Sequence, residues 1–375
     1  MQLTQDQDTS PVHLETQHGA GEYYIRPERV GTDVLIAALI VCVSLLFCFL
    51  CRYTDMDGDE GIVLQGAQRV LAGQVPYRDF FTFYTPGPYY LTALLFRVFG
   101  SSLAIARIEL VLCAVVFSVL TFFIARRVCS RGSALLVVYC STLTCLPARF
   151  MVTHWDSTLF GYLALYAGIW WIETDRSVWA LATGSLAAIT CLFEQSAGFG
   201  VVLGLVAGLT ILAARGQLRS LRRNIGPAVL GFSIPFLATF AYFAWEHSLF
   251  LMVADWFWPT LHYSSANSTP YGYTAALVKL AGLRESPWPT RVVSMFVMGP
   301  FFTIPILPIV ATAVFAYFAV TRAQNGCSIQ WKYYVFTSAF IFGAIVSVLL
   351  VVVLQIDAGL ILKQVSTDPG TRAGC

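Results

Sequence analysis

Long apolar runs alternate along this chain with short polar connections, and that alternation predicts most of the architecture. Asp33 to Cys51 is the first run long enough to span a bilayer. Further runs lie at roughly 103–125, 133–148, 157–172, 178–193, 197–214, 227–245, 295–321 and 333–354, about nine predicted spans in all. The expected fold class is an all-α polytopic membrane protein. Residues 1–30 are polar and mixed in charge and read as a disordered cytoplasmic tail. The long polar lead, with no small-residue cleavage site after the first run, predicts an uncleaved signal anchor. The transmembrane domain is then expected over 31–354, with a short tail at 355–375.

One stretch breaks the pattern, the connection 52–102 between the first two runs. It opens on Asp55, Asp57, Asp59 and Glu60. Val63, Ala67, Val70 and Leu71 then fall on one helical face, and Gly73 with Pro76 forms a stop signal. An amphipathic helix lying along the interface is expected here. Pro86-Gly87-Pro88 interrupts the chain, and Tyr89–Phe99 is too short to span and reads as a second interfacial or re-entrant helix.

Composition strengthens the membrane assignment: 57% of residues are hydrophobic and only 12% are charged, where soluble chains carry about 25%. The net charge of +2 and the absence of a dense basic block argue against nucleic acid as a partner. Cys42, Cys48, Cys113, Cys140 and Cys191 lie inside apolar segments and read as small core residues. Charge does fix an orientation. Arg126, Arg127 and Arg131, then Arg176, then Arg215, Arg219, Arg222 and Arg223, and finally Arg322 and Lys332, occupy alternate connections. The positive-inside rule makes that side cytoplasmic, so the N-terminus is expected inside and the 52–102 connection outside.

The same alternation gathers the other polar features outside: Arg149, His154 and Asp156, then Glu194 and Gln195, and a second outer connection at 246–294. The aromatic residues of that connection fit an interfacial belt, while His262 and its Asn and Ser neighbours suit a sugar-binding rim. Capping accounts for part of the acidity after Asp55, since Asp57 and Glu60 have capping-box spacing and Asp59 would sit in the first helical turn. Carboxylates at the mouth of a span are otherwise functional candidates. Asp55-Met56-Asp57 is a DxD tripeptide, a weak candidate for Mg²⁺ or Mn²⁺.

The run DEGIVLQGAQRVLAGQVPYRDFFTFYTPGPYYLTALLFRVFG resembles the GT-C superfamily of polytopic glycosyltransferases. It looks most like bacterial members of glycosyltransferase family 39, the group of the protein O-mannosyltransferases and the lipid A aminoarabinose transferase. The resemblance rests on the DEG…GQVPYRDF…PG…FG pattern, and more loosely on the layout of spans. It implies a polyprenyl-phosphate-linked sugar donor and an inverting transfer to a glycan, lipid or protein acceptor, on the outer face of a bacterial plasma membrane. No metal cofactor is implied. Asp59 would be the general base, and Glu60 would position the acceptor or tune Asp59. Arg78 and Arg149 would meet the leaving phosphate, and Asp79, His154, Glu194 and Gln195 complete the expected substrate-binding set. LFEQSAG departs from the family, because Glu194 stands where a basic residue is usual. The competing readings are a transporter or lipid flippase, with Glu109 as an acid inside a span, and a non-catalytic or truncated relative.

Overall fold

A computed structural model describes residues 30–50, 58–127, 129–144, 152–216, 221–266, 287–289, 309–310, 312–314, 316–317, 320–321 and 332–347. Asp55, Asp57, Arg149, most of the expected 295–321 span and both tails lie outside the described residues. Among the described residues the regular elements are helices, with a single isolated bridge between Pro76 and Phe80. In chain order they are α1 (Val30–Leu50), α2 (Gly58–Leu71), α3 (Gly87–Phe99), α4 (Leu103–Arg126), α5 (Arg131–Thr144), α6 (Val152–Thr174), α7 (Ser177–Phe193), α8 (Gln195–Ala214), α9 (Leu221–Trp245) and α10 (Leu249–Ala266). A last helix, α11, covers Lys332–Ser347.

Among the described residues three helices are long and apolar enough to cross a membrane, namely α4, α8 and the Arg223–Trp245 part of α9. Their outward faces are greasy: Ile108, Leu112, Val116, Val206, Val229, Ile234 and Leu237 are all exposed. A surface of this kind is stable only against hydrocarbon, so the chain is a membrane protein. The helices α1, α7 and α11 are apolar but shorter in their described parts.

Ion pairs set the relative direction of the helices. Asp33, at the start of α1, accepts from Arg131 Nε at 2.6 Å and lies 3.7 Å from Arg126 Nε. Arg127 and Tyr333 both bond Glu173, joining the ends of α4 and α6 to the start of α11. Asn224 Nδ2, in α9, donates to Asp175 Oδ1 at 2.7 Å. The described helices that these bonds join therefore alternate in direction, and Arg126, Arg127, Arg131, Arg176, Arg223 and Lys332 share one end of the bundle. The helices α2 and α3 sit at the other end.

Small residues let the helices approach closely, as expected where lipid supplies no hydrophobic contrast. Gly184 of α7 lies on the Ala228 carbonyl of α9, and Gly231 of α9 lies on the Leu181 carbonyl of α7. Gly200, Gly204 and Gly208, spaced four apart on α8, receive Gly343, Phe340 and Phe336 of α11. Gly184→Leu is expected to cost at least about 1–3 kcal/mol, because the side chain would have to displace backbone. A Cβ at Gly132 of α5 would meet nothing within 4 Å, so Gly132→Ala should instead gain roughly 0.5–1 kcal/mol. Thermal unfolding in detergent separates the two; equal midpoints would show that the α7–α9 seam is not tightly packed.

The 246–294 connection is not a plain loop, since α10 occupies 249–266 within it. Leu249, Met252, Val253 and Trp256 pack on Val75, Tyr77 and Phe243. This is helical spacing, and the density of Trp and Tyr hides it in the sequence.

Candidate functional site

The α2 helix lies across α4 and α6 with a fully buried line of Glu60, Val63 and Ala67. Gly66 lets the ring of Tyr89 in α3 press against the α2 backbone. The stop signal forms as expected: Gly73 takes φ +83, its N–H bonds Val70 O, and the Gln74 N–H bonds Arg69 O at 3.0 Å. Leu71, expected on the apolar face, is exposed at the helix end. Gly87 sets α3 against the end of α7, where a Cβ would fall 2.7 Å from Leu192 O.

Glu60 faces Arg107. It is 0% exposed and holds Arg107 of α4 at two points, Oε1 to Nε at 3.0 Å and Oε2 to Nη2 at 3.1 Å. A planar guanidinium against a carboxylate is the strongest form of such a pair. Its role is to fix the start of α2, and with it Asp59 in the same first turn. Of Asp59 only the backbone is described, and the same holds for His154 in the first turn of α6.

Arg78 and Asp79 staple the loop between α2 and α3. Arg78 Nη1 bonds Glu246 Oε2 at 2.6 Å, and its Nε meets Asp79 Oδ1 at 3.0 Å. Asp79 Oδ2 accepts the Val75 N–H at 2.7 Å. Between them Tyr77, at φ +68, is buried, donates to Tyr84 O at 2.8 Å and accepts from Trp256 Nε1 at 3.0 Å. The expected phosphate contact from Arg78 is thus committed to two carboxylates. Arg69 is likewise engaged, bonding Asp79 O and lying 4.3 Å over the Phe80 ring. Arg97, exposed on α3, has no ion pair among the described residues.

The Arg78 hydrogen bond, helped by the Val75 N–H, holds the Asp79 carboxyl below its ordinary value. A depressed folded value means that the staple stabilises fully above the unfolded carboxylate range and is lost as pH falls through the lower folded value. Protection factors for amide exchange across 74–86, which divide out the intrinsic pH dependence of the rate, should therefore fall on acidification below the usual carboxylate range. Asp79→Asn should show low protection at every pH, and a variant with the wild-type protection profile would remove Asp79 from this role.

Glu194 and Gln195 act as stitching at the α7–α8 junction. Glu194 accepts from Ser157 Oγ at 2.6 Å and Ser196 Oγ at 2.9 Å, while Gln195 Nε2 donates to Trp256 O at 3.0 Å. At the same end, Phe83, Trp258 and His262 form a stack, with centroids 5.9 and 5.2 Å apart and interplanar angles of 15°. Both the belt and the sugar-rim readings remain compatible with that stack. Among the described residues no group of three or more His, Cys, Asp or Glu is gathered as a metal site.

Beside the Glu60–Arg107 pair lie two acids that carry no such compensation. Asp156 of α6 is 1% exposed and Glu109 of α4 is 9% exposed. Cys113 Sγ lies 3.4 Å from Asp156 Oδ1. Asp156 Oδ2 and both Glu109 oxygens have no hydrogen-bond partner among the described residues. Lone acids inside ARIELVLC and HWDSTLF are the signal that the sequence offers, but nothing local says that they meet.

No family model matches this chain, and no curated protein or solved structure is significantly similar to it.

Proposed function

We propose that the chain is a membrane glycosyltransferase that moves a sugar from a polyprenyl-phosphate donor to a hydroxyl acceptor at the α2 end. The observation that carries this reading is the α2–α3 layer, seated opposite the basic end and opening on Asp59, with Glu60 anchored by Arg107. By the positive-inside rule the α2 end is extracytoplasmic. Nucleotide sugars are cytosolic and highly charged, so an outward site needs a donor already carried across on a lipid. The fuller topology of about nine spans, with the N-terminus inside, belongs to the same reading.

In the transfer, Asp59 takes the acceptor hydroxyl proton as the acceptor oxygen bonds the anomeric carbon. The bond from that carbon to the phosphate oxygen breaks on the opposite face, inverting the configuration. Glu60 acts through position, holding the first turn of α2 on α4. Arg149 remains the candidate for the leaving phosphate, with Arg97 added by its exposure at this end. The resemblance of the 59–100 segment to family 39 supports the same assignment.

A second reading is favoured by one observation, the buried acids Glu109 and Asp156 on the helices α4 and α6, which have no ion pair among the described residues. Intramembrane acids of this kind mark ion or proton pathways in transporters. Purified protein in proteoliposomes decides between the two. Transfer of labelled sugar from a defined polyprenyl-phosphate donor to an alcohol acceptor is expected. No transfer from a panel of such donors, together with solute accumulation driven by a pH gradient, would replace the glycosyltransferase reading with the transporter.

A further inference from the structure

We propose that Glu109 and Asp156 form a joint proton-binding site between α4 and α6, one proton shared by two carboxyl groups. Glu109 and Cys113 are one turn apart on α4 and so present the same face to α6. Cys113 meets Asp156 directly, which sets Glu109 and Asp156 within electrostatic reach of each other. The surroundings are apolar: Leu110, Phe117, Trp155, Val63 and Tyr89 pack around this point. Three of the four carboxyl oxygens lack a donor among the described residues, and the fourth has only a thiol, a weak one.

No described neighbour supplies the missing compensation. On α4, Arg107 makes its two-point contact with Glu60 of α2. On α6, Ser157 donates to Glu194, and Tyr162 packs into the apolar cluster. From α3, Tyr89 is bonded to Thr82 at 2.6 Å, and Tyr84 of the loop before α3 packs into the same cluster. On α7, Cys191 lies against Gly198. From α1 and α5 come Asp33 and Arg131, paired with each other at the basic end, and the exposed Cys42, Tyr139 and Cys140.

Two buried like charges with one weak donor between them oppose each other's ionisation, so one of the pair keeps its proton. A proton held by the pair removes one buried charge and supplies an O–H donor where the described residues supply only a thiol. A proton needs no added volume, unlike a hydrated cation or a hydroxylated ligand. The described residues also gather too few ligands for a metal. The site holds under either reading of function. In the glycosyltransferase it keeps α4 and α6 together under α2, and in a transporter it would be the coupling site.

Infrared spectroscopy of the purified protein at neutral pH tests the proposal. Wild type should show a protonated-carboxyl C=O band that shifts in D₂O, and both Glu109→Gln and Asp156→Asn should lose it. Cys113→Ser, a conservative change to a better donor, should shift the band without removing it, and serves if either acid variant does not fold. Asp79→Asn should leave the band unchanged. A wild-type spectrum without the band overturns the site, as does a band kept in both acid variants. Stoichiometric binding of radioactive sodium or calcium that depends on both acids would also overturn it, replacing the proton by a metal.

Discussion

Alanine at Arg107 is expected to cost the protein about 3–5 kcal/mol and to release α2 from the bundle. Glu60 is fully buried, and both of its oxygens are satisfied by this one guanidinium. Removing the cation leaves a carboxylate that must stay charged without a partner, take up a proton, or pull α2 outward. Each outcome weakens the same contacts, Val63 and Ala67 on α4 and α6 and Gly66 against Tyr89. Removing both partners is a different experiment. Glu60→Leu with Arg107→Met deletes the desolvation cost along with the attraction, and should recover most of the lost stability. Thermal unfolding in detergent provides the comparison. If Arg107→Ala melts with wild type, the pair is not buried as described; if the double variant melts no higher than Arg107→Ala, the cost does not lie in an uncompensated charge.

That pair also shows where the sequence is readable. The α2 and α3 helices, the Gly73 stop and the alternation of helix directions all follow from local patterns, because periodicity and turn chemistry act within a few residues. The partner of Glu60 is 47 residues away in sequence, inside an apolar run where one arginine reads as an interruption. The meeting of Glu109 with Asp156, and the staple from Arg78 to Glu246, are hidden for the same reason. Local pattern marks which residues are unusual for their surroundings, while packing decides whether each is neutralised. Glu60 and Arg78 are paired with opposite charges, and Glu194 is hydrogen-bonded by two serines, so each has partners within the protein. Glu109 and Asp156 have no ion pair among the described residues, and so gain importance. The glycine ladder on α8 and the helical spacing of α10 are present in the sequence too, but apolar and aromatic residues on every side mask them.

With Glu60 committed to Arg107, the proposed chemistry narrows to a single carboxylate. Asp59→Asn is expected to lower the transfer rate by about 10²–10⁴-fold, the usual worth of a positioned general base. The amide keeps the shape and the hydrogen-bonding reach of the side chain, so substrate binding should change little and the loss should fall on kcat. Stability should fall by no more than about 1 kcal/mol, the value of one acid in the first turn of a helix. Glu60→Gln should behave oppositely. It loses the charge that holds Arg107, so melting temperature falls first, and activity falls with the fraction of protein whose α2 is in place. The two variants thus separate chemistry from positioning, since one loses rate at constant stability and the other loses both together. Transfer assays with purified proteins, corrected for the folded fraction by size-exclusion chromatography, give the answer. Wild-type kcat in Asp59→Asn would remove Asp59 as the base, and would leave the acidic start of α2 as a helix-capping device alone.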